Sequence, residues 1–408
     1  MGNQRKIQVE KLLPGMYVES VLNEKETFLF SADLLISGFH QIANLKRQGV
    51  SIVYINTEKG IDIQNDEMAV CSSETPQKPE QPFPELQRAA QVNAVRNKTI
   101  KTVRQIMFDM KAGRLSSIRG VADVVEEMVD QVLENPDAYF GLCRISTYND
   151  RLYTHSVNVA VLMIGLASVM GYSRDKILNA GIGGILHDLG MVKLPEDLVF
   201  LEGAYTAEEF NLIKKHPQFA LELIERSEEY LPRTCLEIIK QHHEKLNGSG
   251  YPGKLRGEQI NEMAFICAVA DTYDMLTSDG FRRKSCIPQE ALALIYQGAD
   301  DNYPRAVVEY FTKLLGIYPV GSLVVLESRE TGIVVKINRK NLLLPHVLVL
   351  FDCTGSRILK PFIRDLSAYS NEKERELWKV KNALDPADFG IETAEILLNP
   401  NAVKQSVE

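Results

Sequence analysis

Residues 151–190 read RLYTHSVNVAVLMIGLASVMGYSRDKILNAGIGGILHDLG. Apolar residues recur there at intervals of three and four, which is the period of a helix with a buried face. The stretch predicts two consecutive core helices, divided at Met170-Gly171, with the second running through GIGGIL. His155 lies in the first, and His187-Asp188 follows the apolar run of the second. The most apolar part, from Val157 to Met170, carries Asn158 and is shorter than the roughly 20 apolar residues that span a bilayer. It reads as a buried core helix of a cytoplasmic protein, with no membrane partner.

The same helical pattern extends over residues 91–316, as in VADVVEEMVDQVLE (121–134) and INEMAFICAVADTYDMLTS (260–278). No repeat of fixed period interrupts it. Residues 1–65 predict a small α+β domain: IQVEKLLPGMYVESVL reads as strand, Pro-Gly turn and strand. Residues 66–90 are rich in Pro, Glu, Gln and Ser and predict a linker. Residues 317–408 predict a small β-rich tail, with GSLVVLES, TGIVVKINR, HVLVLFD and ILKPFIRDL as short strands. The fold class is therefore mainly α.

Composition narrows the function. Of 408 residues, 45% are hydrophobic and 25% charged, which suits an ordinary globular protein. The net charge of −8 argues against a duplex nucleic-acid partner, whose phosphates require clustered Lys and Arg. Six scattered cysteines without a CxxC pair exclude a cysteine zinc site and a disulfide framework. The first residues, MGNQRKIQVEKL, lack the apolar run of a signal peptide.

Five of the seven histidines fall in the helical block: His155, His187, His216, His242 and His243. A lone buried histidine is more often a hydrogen-bonded core residue than a ligand. Here, however, adjacent His187-Asp188, adjacent His242-His243 with Glu244, and Asp271 at the end of FICAVAD occur in one helical domain. Imidazole nitrogen and carboxylate oxygen suit borderline transition metals such as iron, manganese or zinc. Five histidines and two aspartates suffice for two metals. Two metals about 3.5–4 Å apart suit phosphate ester hydrolysis, with a bridging hydroxide in line with phosphorus. Neither a GxSxG elbow nor a cysteine beside a helical histidine offers a protein nucleophile. The loop NGSGYPGKLRGEQI (247–260) follows the His-His pair and predicts a tight turn. It reads equally as a plain surface connection or as a substrate contact through Tyr251, Lys254 and Arg256.

The ordered set His155, HD at 187–188, His216, HHE at 242–244, GSGYP at 248–252 and VADTYD at 269–274 resembles the HD-GYP phosphodiesterases, a subset of the HD-domain hydrolases. The resemblance covers residues 145–290 in detail. It implies an HD-type helical bundle and hydrolysis of cyclic di-GMP or 3′,3′-cyclic GMP-AMP. It implies that His155, His187, Asp188 and Asp271 hold one metal, with Asp188, the catalytic bridge, shared with a second held by His216, His242 and His243. Two divalent ions, iron or manganese foremost, are expected, and a third is not: Arg151 stands where three-metal members carry a Glu, with Asp150, one residue earlier, the nearest carboxylate that could reach in. Met191 replaces a phosphate-contacting lysine, with Lys193 nearby, and TSDGFRRK (277–284) keeps Arg283 and Lys284 as substrate contacts. The GYP loop implies diguanylate cyclase domains as partners, and the sequence allows a homodimer. Two other readings remain open: a cyclic-dinucleotide-binding or partner-binding module of weak activity, and a general nucleotidase, which the GYP loop disfavours.

Overall fold

The computed structural model describes residues 4–12, 16–36, 41–42, 45–46, 48–59, 84–112, 119–143, 150–201, 203–227, 230–278 and 285–398. The chain divides into two compact units. One comprises residues 1–80, 322–334 and 346–393; the other comprises residues 81–321, 335–345 and 394–408.

The first unit holds two sheets. Strands β1 (Gln4–Gln8), β2 (Tyr17–Leu22), β3 (Phe28–Leu35) and β4 (Ile52–Asn56) pair antiparallel in the order β1-β4-β2-β3. Val18 and Val21 of β2 and Val53 and Ile55 of β4 are buried. Ile42, Leu45 and Val50 join the same core, as their helical spacing predicts. The second sheet contains β5 (Leu323–Leu326), β6 (Thr331–Lys336), β7 (His346–Phe351), β8 (Arg357–Asp365) and β9 (Val380–Leu384), in the order β8-β7-β6-β5-β9. The β-rich tail is thus observed, with an added helix, Glu372–Leu377, between β8 and β9.

The second unit is helical. Between residues 84 and 315 its helices are α1 (Pro84–Lys111), α2 (Arg119–Glu134), α3 (Pro136–Leu142), α4 (Arg151–Val169), α5 (Arg174–Leu186), α6 (Glu196–Val199), α7 (Ala207–Ile213), α8 (His216–Arg226), α9 (Arg233–Gln241), α10 (Glu262–Thr277), α11 (Pro288–Gln297) and α12 (Arg305–Leu315). Helix α1 starts inside the stretch 66–90 that composition marks as a linker, because charged, Gln-rich sequence forms a helix readily when one face has a core to join. Val92, Val103 and Met107 supply that face.

Helix α4 is the centre of this unit. It is longer than the apolar run Val157–Met170, and by length and composition alone it could cross a membrane. Burial settles its character: nearly every residue from Leu152 to Ala167 is enclosed by protein. Each aliphatic side chain so enclosed contributes about 1.5–3 kcal/mol. Helix α5 lies against it at close range, because a Cβ on Gly184 would stand 2.7 Å from the Ala160 Cα.

A 3-10 turn, Leu189–Lys193, continues from α5 and meets α8 at Gly190. A Cβ at Gly190 would run into the His216 carbonyl and stand 2.6 Å from the Ala220 nitrogen. Only a glycine lets the turn carrying Asp188 approach the helix carrying His216. Gly190→Ala should therefore destabilise the protein by about 1–3 kcal/mol, the range for overpacked sites, in a denaturant titration. Wild-type stability in that variant would show that the two segments part without cost.

Candidate metal centre

The seven predicted ligands arrive on five segments. His155 sits in the second turn of α4, and Asp271 lies within α10. His187 caps the C-terminus of α5, with Asp188 next in the chain. His216 opens α8, and His242 caps α9 with His243 beyond it. The structure brings all seven together. One group is His155, His187 and Asp271; the other is Asp188, His216, His242 and His243, and within each group the ligand atoms lie within 4.8 Å of one another.

Asp188 faces both groups. Its Oδ2 lies 3.6 Å from His187 Nε2 and 3.8 Å from His155 Nε2. Its Oδ1 lies 3.2 Å from His216 Nε2 and 3.8 Å from His242 Nε2. Asp271 Oδ1 is 3.1 Å from His155 Nε2. The arrangement is that of a carboxylate shared between two cation positions.

Four of the five imidazoles are held by their other nitrogen. Nδ1 of His187 donates to the Gly184 carbonyl at 2.8 Å, Nδ1 of His216 to that of Ile213 at 2.8 Å, and Nδ1 of His242 to that of Ile239 at 3.0 Å. This fixes the tautomer of these three and turns their Nε2 lone pairs inward. His155 uses a carboxylate instead: its Nδ1 bonds Asp274 Oδ2 at 2.7 Å. Asn158 donates to Asp274 Oδ1 at 2.8 Å, and the buried Arg96 guanidinium of α1 donates to Asn158 Oδ1 at 3.0 Å.

The electrostatics follow from burial and charge. Burial pushes the imidazoles of His216, His242 and His243 down, the latter two well below the ordinary histidine value, so they present neutral nitrogen. Burial alone would raise Asp188, but the surrounding His187, His216, His155 and His242 hold its carboxyl well below the ordinary range. Asp271 is likewise opposed by burial, yet the hydrogen bond from His155 brings it down to about 2. Burial also works against protonated His155; bonds to Asp271 and Asp274 outweigh it and raise the imidazole well above its ordinary value. Both carboxylates are thus ionised among mostly neutral imidazoles, the protonation state that divalent transition metals take up.

The donor set passes a further test of fit. His187 Nε2 is fully buried and has no hydrogen-bond partner. Such an atom costs about 1–3 kcal/mol unless something takes its lone pair. A cation between His187, His155 and Asp271 would do so.

The loop after the histidine pair is built against them. Glu244 is buried, and its carboxylate accepts the amides of Gly253 at 2.5 Å and Leu255 at 3.1 Å. A Cβ at Gly250 would stand 2.5 Å from the His243 carbonyl oxygen. The Tyr251 ring therefore stacks on His243, with centroids 4.6 Å apart and planes at 29°. Tyr251 and Arg151 line a cavity whose floor is His155, Asp188, His216, His243 and Asp271.

The remaining predicted substrate contacts fall in different places. Lys254 is exposed and lines a second cavity shared with Tyr251 and His243. Arg256 packs its side chain over Gly248 within the loop. Lys193 is 2.7 Å from Glu222 and covers the Phe219 ring; it lines neither cavity. Arg283 and Lys284 lie outside the described residues. Three contributors to the site carry no sequence signal of their role: Asn158, Arg96 and the aromatic residue Phe210, which lines both cavities.

Residues 144–307 match the model of the HD domain family, and residues 4–121 match a domain of unknown function (DUF3391). The chain is 31% identical over 371 residues to cyclic di-GMP phosphodiesterase PA4108 of Pseudomonas aeruginosa, covering 89% of either protein. It is 28% identical over 236 residues to a cyclic di-GMP phosphodiesterase of Thermotoga maritima, covering 56% of this chain and 64% of that one. A 3′3′-cGAMP-specific phosphodiesterase 2 of Vibrio cholerae is 36% identical over 125 residues, 30% of this chain and 23% of the other.

Asp274→Asn keeps the shape of the side chain and removes the charge that orients His155. Affinity for the metal beside His155 should fall about 10–100-fold, the usual effect of losing such a supporting group. Chelator competition followed by elemental analysis reads this. Unchanged affinity would reduce Asp274 to a packing residue.

Proposed function

The chain belongs to the HD-GYP phosphodiesterases within the HD-domain hydrolases, and from that membership we propose how its site opens a cyclic dinucleotide. The substrate is cyclic di-GMP, 3′,3′-cyclic GMP-AMP or both, the molecules named for its relatives. The observation that carries the reading is the position of Asp188, with one oxygen toward each histidine group.

His155, His187 and Asp271 would hold one divalent ion, and His216, His242 and His243 a second, with Asp188 shared between them. Bound there, two such ions would neutralise charge on the phosphate oxygens and provide a nucleophile from water at neutral pH. Iron and manganese suit the mixed nitrogen and oxygen donors. Two ions rather than three fit the cavity mouth: Asp150 is drawn to Arg104 at 2.9 Å, and Arg151 brings a guanidinium to the wall.

The chain's own groups complete the reaction. Tyr251, fixed on His243 with its phenol pushed up by burial, stays protonated and can donate to a phosphate oxygen. Apolar residues of the wall, among them Met191, Phe200 and Met275, limit water around the scissile bond. Lys254 offers a cation to the anionic substrate from the loop. Lys193 and Arg256 would have to leave Glu222 and Gly248 to add theirs. Residues 91–316 form the proposed catalytic segment, in a cytoplasmic protein. The exposed tip of the loop, at Pro252 and Lys254, is the surface offered to diguanylate cyclase domains.

Metal-loaded protein should convert cyclic di-GMP or cyclic GMP-AMP to the linear dinucleotide, followed chromatographically, and Asp188→Ala should give no product while losing bound metal. Turnover retained in Asp188→Ala would overturn the shared-carboxylate assignment. Absence of product from either substrate with iron or manganese bound would overturn the activity itself.

A further inference from the structure

The metal cavity accounts for one phosphodiester, whereas a cyclic dinucleotide carries a second phosphate and two purines. The second cavity adjoins the first across Phe210, Tyr251, His243 and Asp271, which line both. Its character is different. Lys214, Lys245 and Lys254 line it together with the carboxylates of Glu244 and Asp271, so three lysines outnumber two acids there in a chain of net charge −8. The first cavity, by contrast, has Arg151 as its cation among the described residues.

Phe210 stands at the junction. It is 41% exposed although apolar, and it sits edge-on to Tyr251, with ring centroids 6.4 Å apart and planes at 81°. Helix α7 holds it firmly. Thr206 caps the helix by accepting the Glu209 amide, while Glu209 accepts the Thr206 amide at 2.8 Å. Lys214, one turn further on, places its Nζ 4.4 Å from the centre of the Phe210 ring and 3.2 Å from Asn211 Oδ1. The ammonium at the end of the helix thus covers one face of the exposed ring, and the Tyr205 ring lies nearly parallel to Phe210 with centroids 6.4 Å apart. Stacking on an aromatic side chain and pairing with a cation are the two contacts that a purine nucleotide makes with proteins. The cation–π contact is weak at an exposed site, so the ammonium can move from ring to phosphate.

We propose that Phe210 and Lys214 form an outer half-site for the nucleotide that is not being cut: the purine stacks on Phe210, and Lys214 meets the distal phosphate. Lys245 and Lys254 supply the positive field around it. This rests on the cyclic-dinucleotide reading above and extends it. The half-site makes the enzyme prefer a dinucleotide to a simple phosphodiester, because binding energy gathered remotely is used at the metal centre.

The test uses the full-length, metal-loaded protein and its variants Phe210→Ala, Phe210→Tyr and Lys214→Ala. Two substrates are compared: cyclic di-GMP, and bis(p-nitrophenyl) phosphate, which has neither purine nor second phosphate. Phe210→Ala and Lys214→Ala should each lower kcat/KM for cyclic di-GMP by about tenfold or more, chiefly through KM, as loss of one stacked base does. Both should leave metal content unchanged and lower turnover of bis(p-nitrophenyl) phosphate far less than that of cyclic di-GMP, and Phe210→Tyr should restore cyclic di-GMP turnover. Equal losses on both substrates, or none on either, would overturn the half-site. Wild-type protein that cleaves bis(p-nitrophenyl) phosphate but no cyclic dinucleotide would remove the parent reading and the half-site together.

Discussion

Nitrogen lone pairs crowded into a protein interior are tolerable only when each ring is pinned from behind and something positive waits in front. The first condition is met in this fold by helix ends. His187, His216 and His242 each donate from Nδ1 to the carbonyl three residues earlier, at Gly184, Ile213 and Ile239. Those carbonyls belong to the last turns of α5, α7 and α9. The final carbonyls of a helix have no intrahelical amide to accept. The fold thus satisfies two needs with one contact: the helix ends gain a donor, and three imidazoles gain a fixed direction. The second condition explains why His216 and His242 tolerate Nε2 atoms only 3.2 Å apart. A cation held in front of them, closed by Asp188, would turn mutual crowding into a chelate.

That chelate depends on packing far from any ligand. Asp188 reaches His216 because Gly190 lets its turn touch α8, and α5 delivers His187 because Gly184 lets it touch α4. Interiors packed to the density of crystals transmit such constraints over several residues. His155 is positioned differently, by a buried polar chain from Arg96 through Asn158 to Asp274. Such a chain is stable only when every member is satisfied, so it specifies one arrangement of α1, α4 and α10.

The sequence makes the ligands legible because their chemistry is rare and their order is informative. A His-Asp step after GIGGIL, a His-His-Glu step before a glycine-rich loop, and an aspartate closing FICAVAD are local marks. The supporting residues are not local. Asn158 stands out only as a polar residue in an apolar helix, and Arg96 lies 62 residues from it in the chain. Nothing in the spacing of either announces a partner. Lys193 illustrates the converse error. Its proximity to the His-Asp step suggests a phosphate contact, but the 3-10 turn aims it at Glu222. The helix α4 extends beyond its most apolar run for a similar reason: Arg151 to Ser156 mixes polar residues into it, and only the packing shows most of them buried.

The division of charge in this site bears on what it selects. The chain as a whole is acidic and should repel a polyanion, yet that repulsion is screened over a Debye length of about 8–10 Å in physiological salt. Within that distance a small dianion meets a different field. A bound cation pair would lie at the floor of the first cavity, and Lys214, Lys245 and Lys254 line the second, which also reaches His242, His243 and Asp271. A long duplex cannot profit from so confined a positive region, because its remaining phosphates would face acidic surface. A molecule with two phosphates and two flat bases would, with the half-site proposed above, meet both cavities at once. Selectivity for a compact dinucleotide therefore needs no reader of sequence: it follows from the small reach of the positive field and from the aromatic edge that divides it.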